Sequence, residues 1–89
     1  LELGGKDPMV VMPGADMDAA AAFAARESLR NSGQVCISVE RVFVPRALHD
    51  EFVAKVVDHA KALVVGDPND PKTDLGPMAS ESQRAVVLA

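Results

Sequence analysis

Met9-Val10-Val11-Met12-Pro13-Gly14-Ala15-Asp16 is the stretch on which the fold of this chain turns. Four consecutive apolar residues have the length of a strand, and a strand apolar on both faces belongs to a buried, usually parallel sheet. Pro13-Gly14 breaks the run. Asp16 then carries the side chain to cap a helix from about Met17 to Arg30. That helix is mostly alanine and apolar nearly all round, which predicts burial between layers of a larger body.

Reading outward, Asn31-Ser32-Gly33 ends the helix, because Asn and Gly take the left-handed conformation that terminates it. Gln34-Val35-Cys36-Ile37-Ser38 leads into a second strand, Val39-Glu40-Arg41-Val42-Phe43-Val44, which Pro45 stops. From about Leu48 to Val64 the apolar positions Leu48, Phe52, Val53, Val56, Val57, Ala60 and Leu63 recur every three or four residues, the stripe of an amphipathic helix. Asp50 and Glu51 suit its first turn, Lys61 its last, and Glu51 and Lys55 stand in a stabilising i,i+4 pair. A loop with Pro68, Pro71 and Pro77 follows, and Ser80-Glu81-Ser82 starts a last helix running to Ala89. Strand, helix, strand, helix, loop and helix in this order predict an α/β fold with a largely parallel sheet. Ligands of such sheets bind beyond the carboxyl ends of the strands.

The 89 residues allow one small domain. Apolar residues make up 48% of them, but Ala and Val predominate and only three Phe supply aromatic bulk, so the core is thin for a body that stands alone. The chain begins at Leu1 without Met and stops at Ala89 inside a helix-like run, so it reads as a piece of a longer protein. A single cysteine forms no internal disulfide and fits a reducing compartment, so the expected location is the cytoplasm. The net charge of -4 comes from interspersed signs without a basic block, which argues against nucleic acid as a partner. The longest apolar run, Ala19 to Ala25, falls far short of the ~20 residues that span a bilayer, so no membrane partner is expected.

Few residues could carry chemistry. Cys36 follows the helix-ending Gly33 in a short segment between helix and strand, where a side chain can project into a crevice. A free cysteine is also common core filler, and a nucleophilic one needs a base, cation or helix end nearby. Glu2, flanked by Leu1 and Leu3 and followed by Gly4-Gly5, stands where desolvation would raise a carboxyl toward the range of a general base, or else it is a solvated strand end. His49 and His59 are ten apart without a second cysteine, so no metal site is expected. Asp67-Pro68-Asn69-Asp70-Pro71 lacks the glycine and terminal glutamate of a calcium loop and reads as a stiff surface turn. Neither the dinucleotide fingerprint nor the Walker pattern occurs.

Two patches together resemble the aldehyde dehydrogenase superfamily. Leu1-Glu2-Leu3-Gly4-Gly5-Lys6-Asp7-Pro8 is similar to that family's glutamate signature, and Asn31-Ser32-Gly33-Gln34-Val35-Cys36 to its cysteine signature, 34 residues apart from Glu2 to Cys36. Glu40-Arg41-Val42-Phe43-Val44 and Leu75-Gly76-Pro77-Met78 are further landmarks, and Ser38 stands where relatives mostly carry another small residue. The resemblance, which also has a semialdehyde-dehydrogenase look, implies that residues 1–89 are part of a catalytic domain, incomplete and inactive alone, with the nucleotide-binding and oligomerisation segments elsewhere. It implies oxidation of a small-molecule aldehyde to a carboxylic acid with NAD or NADP, with Cys36 as nucleophile and Glu2 as base for the hydrolytic water. Glu2, Leu3, Gly4 and Cys36 would face the cofactor, and the full-length parent would be a homodimer or homotetramer. The alternatives are a coenzyme A-acylating relative, which typically lacks the base glutamate, and a non-catalytic structural member of the same fold.

Overall fold

The computed structural model describes residues 3–89. Its elements are strand β1 (Asp7–Val10), helix α1 (Met17–Leu29), strand β2 (Val39–Phe43), helix α2 (His49–Lys61) and helix α3 (Glu81–Leu88). A turn with left-handed backbone at Arg30–Gly33 follows α1, and a short 3₁₀ turn at Arg46–Leu48 precedes α2. β1 and β2 pair in parallel, so α1 is the crossover of a β-α-β unit, as the alternation predicts.

β1 begins two residues earlier than the apolar run, and the reason is the partner strand. Asp7 pairs with Val39 and Pro8 with Arg41, so the register slips at Pro8. Proline has no N–H to donate, and such an irregularity is where a sheet accommodates it. The ladder then runs Met9 to Val42 and Val10 to Phe43, and Val11 N still donates to Phe43 O at 2.9 Å. Ala15 N donating to Met12 O, with Gly14 at φ 86°, turns the chain toward α1.

Asp16 caps α1 as its side chain predicts: Oδ1 accepts from the backbone N–H groups of Asp18 and Ala19, both at 3.0 Å. Both donors would otherwise lack an intrahelical partner. Asp16→Ala is therefore expected to lower stability by about 1 kcal/mol, read as a reduced urea midpoint at unchanged slope.

The core lies between the sheet and the two long helices. Val11, Ala21, Ala24 and Phe52 are buried together, with Met9, Met17, Ala20, Val42, Val44 and Val56 packed around them. The small alanine side chains let α1 come close to α2, so that the single large residue Phe52 fills the space between the layers. Lys55 of α2 reaches Asp18 of α1 at 3.1 Å rather than serving only as the helix partner of Glu51. The hydrogen bond and charge of Asp18 raise the Lys55 ammonium above its usual pKa.

Burial of the alanine helix on all sides is not what residues 3–89 show. Ala21, Ala24 and Ala25 are buried while Phe23 is 44% exposed, because this chain supplies layers on one side of α1 only. The sheet is likewise covered on one face. Val10 and Phe43, paired across the strands, remain 62% and 54% exposed.

α2 ends at Lys61, short of the sequence periodicity, because the next backbone groups have other partners. Val64 N donates to Asp74 Oδ2, Val64 O accepts from Asp74 N and Leu75 N, and Val65 bridges Leu75. The proline-rich stretch is the surface turn expected, with Asp67 Oδ1 accepting from Asn69 N and Asp67 O from Asp70 N. Ser80 caps α3 through Gln83 N. Among the described residues no helix is long and apolar enough to cross a membrane.

Candidate active site

The cysteine loop is built from an unusual run of backbone. Asn31, Ser32 and Gly33 all have positive φ, at 52°, 58° and 76°. Gly33 tolerates this freely, whereas the left-handed conformation costs a residue with a Cβ roughly 1–2 kcal/mol. The sequence pointed to Asn and Gly as helix terminators, but Ser32 in this conformation was not foreseeable, and α1 itself stops at Leu29.

Local hydrogen bonds close the loop. Asn31 Nδ2 donates to Gln34 O at 3.2 Å, and Asn31 O accepts both from Gln34 N at 3.2 Å and from Gln34 Nε2 at 2.9 Å. Two further bonds leave it: Ser32 Oγ donates to Gly76 O at 2.7 Å, and Ala79 N donates to Gln34 Oε1 at 2.7 Å. A tight turn follows, closed by Ser38 N donating to Val35 O at 3.0 Å. Cys36 and Ile37 form its tip, both exposed, and the Cys36 thiol is free. Core filler is therefore the wrong description of this cysteine. Ser38, at 4% exposure, is the residue of the turn that packs inward, where a small side chain is needed.

The glycine segment lies directly on this turn. A Cβ placed on Gly5 would overlap the carbonyl oxygen of Cys36 and come within 3.1 Å of its carbonyl carbon. Gly4 stands in the opposite situation: at φ 74° its backbone suits glycine, but a Cβ there would meet nothing within 4 Å. Leu3, ahead of it, is 85% exposed. Glu2 lies outside the described residues. β2 holds the segment from below, with the Lys6 ammonium paired to the Glu40 carboxylate and Arg41 Nε donating to Lys6 O at 2.9 Å.

Between the glycine segment, the cysteine loop and the start of α3 opens a cleft of about 470 Å³, bordered by Gly4, Gly5, Gln34, Cys36, Ala79 and Ser80. It lies at the amino ends of the parallel strands β1 and β2, not beyond their carboxyl ends as the α/β pattern predicts, because the glycine segment and the cysteine turn both lead into their strands. An exposed thiol on a tight turn, with an open cleft in front and no side chain at Gly4 or Gly5 to block approach, can reach an electrophile held in that cleft. Sequence reasoning gave roles to Leu3, Gly4 and Cys36, named Ser32, Gln34, Glu40, Arg41 and Gly76 only as members of the resembling motifs, and missed Ala79. Nothing local shows what these six residues do, since each acts through a partner far along the chain.

This arrangement can be set beside known proteins. The sequence model described as "Aldehyde dehydrogenase family" matches residues 1–89. The chain belongs to the aldehyde dehydrogenase family. Among curated relatives, a succinate-semialdehyde dehydrogenase [NADP(+)] of Mycobacterium leprae is 53% identical over 87 residues, which are 98% of this chain and 19% of that protein. Among solved structures, the aldehyde dehydrogenase KauB of Pseudomonas aeruginosa superposes with a TM-score of 0.92 at 38% identity, over 98% of this chain and 18% of the other. The C291A mutant of aldehyde dehydrogenase C from Pseudomonas syringae, complexed with NAD+ and octanal, gives 0.88 at 40% identity, over 92% and 17%. This aldehyde dehydrogenase chain thus spans about a fifth of the length of the curated relatives it matches. The expected fold, a parallel sheet with covering helices, is that of these relatives.

Proposed function

We propose that residues 1–89 form the nucleophile-bearing part of the catalytic domain of a hydrolytic, NAD(P)+-dependent aldehyde dehydrogenase. The observation that carries this reading is the packing of Gly5 against the backbone carbonyl of Cys36, the residue that carries the exposed thiol. An exposed apolar Ile37 beside the thiol suits the carbon chain of an aldehyde. The similarity to mycobacterial enzymes named for succinate semialdehyde and NADP+ supports a semialdehyde substrate and that cofactor.

Cys36 Sγ adds to the aldehyde carbonyl carbon, and the developing oxyanion is stabilised in part by the Cys36 backbone N–H. Bound NAD(P)+ supplies the acceptor for the hydride that departs from that carbon. The open space over Gly4 and the cleft beside it leave room for a flat nicotinamide ring near the thiol, with Leu3 and Gly4 as the backbone that would face it. Cys36 then carries a thioester. Glu2 takes a proton from water, the water oxygen attacks the thioester carbon, and the Cys36 thiolate departs as the carboxylic acid forms.

The test is chemical modification of the full-length protein. Iodoacetamide near neutral pH is expected to alkylate Cys36 stoichiometrically, far faster than a buried inert thiol, and aldehyde oxidation should disappear in step with labelling. Full labelling of Cys36 with undiminished turnover would remove it from the chemistry. An unreactive Cys36 in folded protein would favour the non-catalytic relative.

A further inference from the structure

Two hydrogen bonds tie the cysteine loop to a distant part of the chain. Ser32 Oγ donates to Gly76 O, a partner 44 residues away, and Gln34 Oε1 accepts from Ala79 N, 45 residues away. Neither bond builds a secondary element. α1 ends at Leu29, before Ser32, and α3 has its own side-chain cap in Ser80. The remote partners are themselves anchored, because Leu75, next to Gly76, exchanges backbone hydrogen bonds with Val64 and Gly66 beyond the end of α2.

The chemistry of Gln34 fits a clamp. Its amide uses both ends, Nε2 donating to Asn31 O inside the loop and Oε1 accepting from Ala79 N outside it. A carboxylate of the same length keeps only the accepting half, and a methionine of similar length keeps neither. Ser32 makes its bond from a backbone conformation that favours glycine, so the loop would otherwise be free to relax. Cys36 follows Gln34 by two residues, and the same Gln34, Ala79 and Cys36 border the cleft.

We propose that Ser32 and Gln34 are positioning residues for Cys36, holding the left-handed loop against the segment between Gly76 and Ala79 so that the thiol meets the cleft at a fixed place. The inference rests on Cys36 being the nucleophile. A reacting atom displaced by on the order of 1 Å loses up to about a hundredfold in rate. Releasing one clamp bond is thus expected to lower kcat and the rate of Cys36 alkylation together, since both depend on where the thiol stands.

The experiment compares Gln34→Met, Gln34→Glu and Ser32→Ala with wild type in the full-length protein, well below each variant's unfolding midpoint. Gln34→Met should lose about tenfold to a hundredfold in kcat and slow in Cys36 alkylation. Gln34→Glu should fall between it and wild type, because its carboxylate still accepts from Ala79 N. A role in stability alone would lower the unfolding midpoint and leave both rates of the folded enzyme intact. If Gln34→Met does not fold, Ser32→Ala tests the same clamp from its other end. Wild-type rates in the folded variants would overturn the clamp while leaving Cys36 as nucleophile. Turnover that survives Cys36→Ser would overturn the nucleophile, and the clamp with it.

Discussion

Gly5→Ala is expected to abolish most of the aldehyde oxidation of the full-length protein while leaving it folded. The added Cβ would overlap the carbonyl oxygen of Cys36, a backbone atom that cannot swing aside as a side chain does. Gly5 does not have positive φ, so its own backbone conformation is open to alanine and the conflict is purely one of space. Relief requires the glycine segment and the cysteine turn to move apart by on the order of 1 Å, a displacement that costs about a hundredfold when it falls on reacting groups. Overpacking of this kind also lowers stability by roughly 1–3 kcal/mol. Gly14→Ala is the control. It imposes a left-handed backbone penalty of about 1 kcal/mol at φ 86° with open space around it, so stability should fall while kcat stays unchanged. Equal loss of kcat in both variants would show that Gly5 matters through stability and not through the contact with Cys36.

Glu2→Gln should divide the reaction in two. The amide cannot accept a proton from water, so hydrolysis of the thioester should slow by about 10²–10⁴-fold, the usual contribution of a positioned general base. The earlier steps do not need that base. A burst of about one equivalent of reduced cofactor per Cys36 should therefore survive, followed by slow steady turnover and an acyl group on Cys36 detectable by mass spectrometry. Steady turnover at the wild-type rate would exclude Glu2 as the base. Rapid turnover of either protein only when coenzyme A is supplied would identify the acylating branch instead.

The order of elements was legible because each is announced locally. Asp16 and Ser80 cap helices where their side chains predict it, and the Met9-Val10-Val11-Met12 run enters a parallel sheet. Boundaries shifted where a partner competed. β1 starts at Asp7 because Val39 pairs with it, and α2 stops at Lys61 because Asp74 and Leu75 take the backbone of Val64. At the site, Cys36 and Gly4 could be singled out from the two motifs and their spacing. Gln34 and Ser32 could not, because each sits inside the cysteine motif with nothing to show that its bond is made at Ala79 or Gly76.

Local physics thus settled which residues become strand and helix and which thiol stands in the loop between them, since periodicity, caps and turn residues act over a few positions. Folding in three dimensions settled what that thiol faces. The lack of a side chain at Gly5 has a purpose only once Cys36 lies against it, 31 positions along the chain, and Lys55 turns to Asp18 only because α1 and α2 pack side by side. Such contacts depend on how the layers pack, and no pattern of neighbouring residues encodes them.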